Sequence, residues 1–363
     1  MRVIERAEAV REVGAGLQIS PNGMAVLDAL GVGGAVAARA RRAQAVALAD
    51  GLTGREILRM DLASLTDARP WLLVHRADLV ATLADAAEAA GVTFDFGRTV
   101  DSLDPAPGGV RLSFAAGPPE TLPVVVAADG VRSVARRALP DLDENAFTGQ
   151  VAWRAIAPLA DPVEDVPRVF MGPGRHLVAY PLRDGRQMNI VAVQERRAWA
   201  EVGWTHRDDP ENLRAAFADF APAVRGLLEG IGGVHVWGLF RHRVPATWHE
   251  GGLICIGDAV HPTLPFLAQG ACMAIEDAWV LAEEMDRTPD TAAAFAAVER
   301  RRLARCRRIV AGADTNARLY HLRGPARPVA HAILRAMGPD FALRRLDWLY
   351  RTNVTGGAAG AVA

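Results

Sequence analysis

The sequence predicts an α/β fold in which a parallel-sheet domain is interrupted by an inserted, mostly antiparallel β-sheet and closed by C-terminal helices. Three observations predict it. Continuous apolar runs, Val124-Val125-Val126-Ala127-Ala128 and Leu253-Ile254-Cys255-Ile256, read as strands buried on both faces, which is the habit of parallel sheets. Between about 150 and 240 the strand patterns instead suit a sheet with one exposed side. Two long helical periods, 270–285 and 291–320, then follow in succession.

The elements are justified in order. Val3-Ile4 ends a short strand that meets Glu5 at once. A helix starts at Pro21, with Ser20 as its candidate cap, and runs to about 30. Residues 77–90 form an amphipathic helix closed by Gly91, and 92–96 alternate as a strand. Strands follow at 110–114 and 122–127, separated by a Gly-Pro-Pro turn. In the insertion, strands are expected at 151–156, 177–180 and 188–193, and Asp184-Gly185 marks the hairpin between the last two. Boundaries fall at 1–148 and 244–350 for the two parts of the first domain and at 149–243 for the insertion. The Gly/Ala-rich tail, 351–363, is expected to be disordered, and the arginine run 300–308 reads as a solvated helix face.

Composition excludes several functions. The 363 residues are 50% hydrophobic and 23% charged, enough for a sizeable core and against global disorder. A formal net charge of -1 gives no support for nucleic-acid binding. There is neither an 18-residue apolar run nor a signal-peptide pattern, so neither a membrane span nor export is expected, and a cytoplasmic location is. Cys255, Cys272 and Cys306 are scattered without a CxxC pair, so no metal site or disulfide scaffold is expected. Every basic residue other than histidine is arginine. Without lysine there is neither a Schiff base to pyridoxal phosphate nor a Walker P-loop.

Four segments carry chemistry. Gly257-Asp258-Ala259, directly after the 253–256 strand, places a carboxylate at the sheet's carboxyl edge, where ligands of open α/β sheets bind. His261-Pro262, Pro265 and Leu267-Ala268-Gln269-Gly270-Ala271 then bring a helix N-terminus to the same place. A carboxylate beside free N–H groups suits a polyol next to a ring that becomes anionic. Asp129-Gly130, with Ser133 and Arg136, is either a second ligand turn or a capped βα turn. Glu5 is either a ribose acceptor at a strand end or a surface glutamate, and Arg76, in Val74-His75-Arg76-Ala77-Asp78-Leu79, either a ligand contact or an ion pair with Asp78.

Together these residues resemble the FAD-dependent aromatic-ring monooxygenases, closest to the salicylate-hydroxylase-like branch. The likeness runs from Val3 to about Tyr350 and includes Gly14-Ala15-Gly16-Leu17-Gln18-Ile19-Ser20-Pro21-Asn22, Tyr180-Pro181-Leu182-Arg183, Gly257-Asp258 through Asp277, and Tyr320-His321-Leu322 before Gly324-Pro325. It implies a Rossmann-like FAD-binding domain around a substrate sheet, with NADH or NADPH as reductant, O2 as co-substrate and a small phenolic acid such as salicylate or a hydroxybenzoate as substrate. Oxygen transfer would proceed through a flavin C4a-hydroperoxide. The resemblance gives Glu5 and Arg6 to the adenosine ribose end, with Ala15 and Gly16 in the segment that follows it. It gives Arg76 to the ribityl-phosphate side, Asp129 to the nucleotide, Asp258 to the ribityl hydroxyls, and Leu267, Gln269, Gly270 and Ala271 to the pyrimidine end of the flavin. Pro265 would lie beside the ring. Gln18, Tyr180, Arg183 and Asn189, with His176, would line the substrate pocket, and His261 is either a base for the phenol or structural. A monomer or homodimer without nucleic-acid or membrane partners is expected.

The family's first strand and GxGxxG turn normally precede the ribose glutamate, which here has only four residues before it. Neither Gly14-Ala15-Gly16 nor Gly31-Val32-Gly33-Gly34 replaces that turn. The expectation is therefore an N-terminally incomplete FAD-binding domain that, as written, binds FAD poorly. A flavin-free remnant acting as a binding protein and a same-fold epoxidase or reductase remain the alternatives.

Overall fold

A computed structural model describes residues 1–10, 15–64, 69–140, 146–196 and 206–356. Strand β1 (Arg2–Glu5) is followed by β2 (Gly16–Ile19) and helix α1 (Pro21–Ala29), then β3 (Ala45–Asp50) and β4 (Glu56–Asp61). Next come β5 (Leu72–His75), α2 (Arg76–Ala89), β6 (Thr93–Phe96) and β7 (Val125–Ala127). The large sheet continues with β8 (Ala146–Pro158), β9 (Arg168–Gly172), β10 (Arg175–Leu182), β11 (Gln187–Glu195), β12 (His206–Asp208) and β13 (Val234–Arg241). Strand β14 (Leu253–Cys255) leads into the long helices α3 (Gly270–Arg287) and α4 (Thr291–Tyr320), and shorter helices follow to Tyr350.

Outside the large sheet, the parallel strands form two separate ladders. β1 pairs with β6, Val3 opposite Phe94, and β7 pairs with β14, Val126 opposite Ile254. No strand among the described residues joins the two ladders. The expected strand at 122–127 is therefore corrected. It breaks at Pro123, which cannot donate to a ladder, leaving Glu120–Leu122 in an antiparallel meander and β7 in the parallel pair. Nor is it buried on both faces, because Val126 is 40% exposed.

The large sheet has eight strands in the order β12-β13-β8-β11-β10-β9-β3-β4. It is wider than the 149–243 segment: β3 joins it parallel to β9, and β4 pairs with β3, both from the first part of the chain. Its far face is not open to solvent, as the alternating strands suggested. Val151, Trp153, Leu177 and Ile190 pack there against Leu213, Phe217, Val224 and Leu228 of the helices Pro210–Ala216 and Pro222–Glu229. The near face, with Ala152, Met171, Tyr180, Val191 and Val193, joins the main core together with Ala259, Phe266 and α4. The sheet thus roofs the segment that follows β14.

Helix α3 is fixed to α4 and α1 by buried charge. Arg302, 1% exposed, donates from Nε to Asp277 Oδ1 at 2.7 Å and pairs through Nη1 with Glu276 Oε2 at 2.7 Å. Arg305 closes on Glu276 at 2.8 Å, and Asn22 Nδ2 of α1 donates to Glu276 Oε1 at 2.7 Å. This corrects the solvated-face reading of 300–308. Arg301 pairs with Glu283 and Glu284, and Arg308 lies over the Trp348 ring at 3.9 Å. The tail is corrected in part, since 351–356 are described and Thr352 receives a hydrogen bond from Arg305 at 2.9 Å. Residues 357–363 lie outside the described residues.

Removing one member of a buried ion cluster strands the others. Arg302→Met is expected to lower stability by about 3–5 kcal/mol, read by urea unfolding, because Glu276 and Asp277 keep their charge in the core.

Candidate active site

The site is assembled where β14 ends. Leu253–Cys255 are fully buried, and Gly257 follows with φ 58°, a left-handed turn that suits glycine. The turn presents Asp258, whose carboxylate makes no hydrogen bond among the described residues. Burial of the cleft raises its pKa, against the pull of His261, Arg76 and Arg154. The chain then runs through the 3-10 turn Pro265–Leu267 and reaches α3 by way of Ala268, at φ 53°. Asn316 of α4 holds the turn by donating to the Phe266 carbonyl at 3.0 Å.

The N-terminus of α3 has no side-chain cap. The residue in the cap position, Gln269, is 1% exposed and spends its amide elsewhere: Nε2 donates to Ser20 Oγ at 2.9 Å, and Oε1 accepts from Asn22 at 3.0 Å. The first-turn N–H groups of Gly270 and Ala271 are left for a ligand, with the dipole's positive end behind them. A Cβ on Gly270 would stand 4.0 Å from Asp258 Oδ1, so turn and helix start face one another closely. An unpartnered carboxylate beside uncapped N–H groups fits a polyol chain attached to an anion-forming ring, which is what FAD offers. Ser20 sits at the N-cap of α1 but makes no cap bond, its hydroxyl being turned to Asn22.

Two arginines flank Asp258. Arg76 opens α2; its backbone N–H donates to Ala15 at 3.0 Å and its guanidinium is exposed and unpaired among the described residues. The expected partner, Asp78, is taken by Arg183 at 3.2 Å. Arg183 thereby ties the β10–β11 turn to α2. Arg154, on β8, was not singled out in the sequence. It lies over Trp237 at 5.5 Å, its Nε is buried with no partner, and no carboxylate pairs with it among the described residues. Burial and the charge of Arg76 lower its pKa against the influence of Tyr180 and Asp258.

The sheet face above carries four polar residues. Register places Arg154 opposite Val191, Ile156 opposite Asn189, and Asn189 opposite Tyr180, with His176 four residues back from Tyr180 on the same face. Asn189 Oδ1 accepts from the Gly16 N–H at 2.7 Å, while its Nδ2 is buried without a partner. A Cβ on Gly16 would meet the Tyr180 ring at 2.6 Å, so β2 docks here only with glycine. Gln18, two residues on, points the same way, and its Oε1 accepts from Trp71 Nε1 at 3.2 Å. Burial raises the Tyr180 pKa, leaving its hydroxyl protonated.

His261 is placed away from the base role. It is 1% exposed, donates from Nε2 to Asp277 Oδ2 at 2.5 Å and packs on Trp248. Burial opposes its charge, but Asp277 dominates and raises its pKa well above the ordinary value. His261, Asp277 and Cys306 could offer metal-ligand atoms within 4.8 Å of one another, yet Arg302 already supplies the cation beside Asp277 and Cys306.

Glu5, Asp129 and Asp258 each stand at or just beyond a parallel strand's C-terminal end. Glu5 Oε1 accepts from Ala7 N–H at 2.8 Å, and Arg6 is exposed beside it. Asp129 Oδ2 accepts from Val134 and Ala135, so it caps the turn after β7. Ala15 and Gly16 are buried, Pro265 and Leu267 partly so, and Gly14 lies outside the described residues.

This arrangement, a sheet roofing the carboxyl edge of parallel strands with an acidic turn and an uncapped helix start, defines a flavoprotein oxidoreductase class. An FAD-binding-domain family model matches residues 1–311. The chain is 36% identical over 295 residues to 3-amino-4-hydroxybenzoate 2-monooxygenase of Streptomyces cremeus, covering 79% of this chain and 73% of that one. It is 31% identical over 358 residues to 3-hydroxybenzoate 6-hydroxylase of Klebsiella oxytoca, covering 96% and 89%. In fold it matches a salicylate hydroxylase substrate complex, with TM-score 0.81, 21% identity and coverage of 100% and 98%. Klebsiella pneumoniae HpxO with FAD and uric acid gives TM-score 0.83 at 24% identity, over 99% and 97% of the two chains. The chain belongs to the FAD-dependent aromatic-ring monooxygenases. No helix among the described residues is long and apolar enough to cross a membrane.

Three buried histidines make the fold acid-sensitive. Burial, and then His321, holds His176 well below the usual value; burial takes His321 down to about 4 against the pull of Glu195; and burial with Arg136 takes His242 to about 4. The unfolded chain, with histidine near 6.5, binds more protons in that window, so stability is present above about pH 6.5 and falls as pH drops toward about 4. His321→Gln is expected to flatten that slope, as measured by denaturant unfolding across the window.

Proposed function

We propose that this FAD-dependent monooxygenase hydroxylates a small phenolic aromatic acid of the hydroxybenzoate type, with NADH or NADPH as reductant and O2 as co-substrate. The observation that carries the substrate class is the pair of unpartnered buried donors on the roofing sheet, Arg154 Nε and Asn189 Nδ2. They are diagonal neighbours across β8 and β11, and Arg154 has no carboxylate of its own. A buried donor without an acceptor is costly, and a ligand carboxylate relieves both at once. The two relatives act on hydroxybenzoates, in keeping with this.

The chemistry that FAD supplies when bound is hydride acceptance and activation of O2. The chain's residues supply position and charge. Asp258 would accept from the ribityl hydroxyls, and Arg76 would balance the ribityl-phosphate side. Glu5 would accept from the adenosine ribose through the oxygen that Ala7 leaves free. The N–H groups of Gly270 and Ala271 would serve the pyrimidine end, and Leu267 and Pro265 would flank the ring. Arg154 and Asn189 hold the substrate carboxylate, Tyr180 and Gln18 border the ring, and the apolar remainder of the sheet face excludes water.

NADH or NADPH oxidation that accelerates with a hydroxybenzoate, consuming O2 and forming a dihydroxylated ring, tests the reading; no aromatic acid accelerating it would overturn it. Asp258→Ala is expected to weaken FAD binding about tenfold or more, one charge-assisted hydrogen bond being worth about 1.5–3 kcal/mol, as followed by flavin fluorescence titration. Arg154→Gln should raise the dissociation constant for a hydroxybenzoate about tenfold or more and change that of the matching phenol without a carboxylate far less.

A further inference from the structure

We propose that the outward face of helix α5 (Ala326–Met337) is the contact through which two copies of this chain associate, the two helices crossing antiparallel about a two-fold axis.

Helix α5 is held on one side. His331, 6% exposed, and Leu334 turn toward the main core. Arg327 and His331 both reach Asp50 at the end of β3, at 2.5 and 3.5 Å. Positions 327, 331 and 334 share one helical face. The opposite face carries Pro328, Val329, Ala332, Ile333 and Ala336, all exposed and none charged. At 3.6 residues per turn the five span an arc of about 140°. Val329 is 58% and Ile333 56% exposed, more than any other large apolar side chain among the described residues except Met1. Phe341, 47% exposed, follows in α6 (Pro339–Arg344), and both helices pack on β4.

The stripe complements itself. Residues four apart on a helix form a ridge. Val329 and Ile333 make a ridge of large side chains, and Pro328, Ala332 and Ala336 make a ridge of smaller ones beside it. A two-fold axis over the middle of the stripe lays the large ridge of each copy against the small ridge of the other, so both grooves fill at once. No charge has to leave water, because Arg335 flanks the arc and stays exposed at its rim.

Area sets the strength of the contact. The stripe and Phe341 expose roughly 500 Å² per copy, the scale at which an apolar patch marks a contact site. Pairing two copies removes roughly 1,000 Å² from water, the lower bound for a specific interface, so the dimer is reversible and not obligate. A lipid surface is a poorer match. It calls for free cationic side chains beside the apolar face, and Arg323 and Arg327 are spent on Glu195 and Asp50.

Two measurements test the contact. Sedimentation of the full chain, supplied with FAD, should show a monomer–dimer equilibrium between about 1 and 100 μM. Ile333→Arg sets a charge in the stripe and should raise the dissociation constant at least about tenfold, with the urea midpoint unchanged because the site is exposed. The second measurement reads the arrangement and does not depend on that variant. Cys255, Cys272 and Cys306 are buried, so an added surface thiol reacts alone. Ala332→Cys, close to the axis, should give a disulfide-linked dimer under mild oxidation. Ala336→Cys should not, since an antiparallel pair holds the two 336 positions about 12 Å apart. A chain that stays monomeric throughout, a dimer untouched by Ile333→Arg, or cross-linking at 336 and not at 332 overturns the proposal. So does a monomer whose binding to phosphatidylglycerol vesicles is lost in Ile333→Arg, or one that dimerises only after residues 357–363 are deleted. The occupant of the stripe would then be a lipid surface or the chain's own tail.

Discussion

The buried pairing of Asp277 with Arg302 is the constraint on which the site depends. Asp277 accepts from Arg302 through one oxygen and from both His261 and the Gly257 N–H through the other. Burial alone would raise its pKa, but His261 and Arg302 hold it well below the ordinary carboxylate range. A fully buried charge of this kind survives only when every lone pair is met. Meeting them fixes the turn that presents Asp258. Through Glu276, Asn22 and Gln269 the same network sets the start of α3 against α1, and with it the direction of the free N–H groups.

The cleft above that turn is defined by opposed surfaces. Below lie a carboxylate and main-chain donors, which suit hydroxyls and developing negative charge. Above lies a mainly apolar sheet face interrupted by Arg154, Asn189, Tyr180 and His176. The far face of the sheet is closed by two short helices, so the sheet is a stiff, two-sided layer. That stiffness keeps Arg154 Nε and Asn189 Nδ2 buried without a partner among the described residues.

Much of this was legible in the sequence where local physics governs. The helices 77–90 and 291–320, the Asp184-Gly185 hairpin and the strand before Gly257 follow from periodicity and turn chemistry, and all are present within a residue or two. The capping role of Ser20 and the arginine run 300–308 were misjudged for one shared reason. Ser20 is engaged by Gln269 and the arginines by acidic groups and a ring from other elements, and neither composition nor spacing records those contacts. Arg154 was missed because an arginine in an alternating strand looks like an outward-facing one, and only the second layer reveals which face is inward.

By itself the sequence determined the element order, the carboxylate at the strand tip and the family, because turn residues and apolar period act over a few neighbours at a time. The tertiary structure alone decided what each of two buried histidines meets. From the sequence His261 is either a base or structural, and His176 is only a candidate pocket lining. Folding sets the first against Asp277, which raises its pKa, and the second against His321, where burial lowers its own.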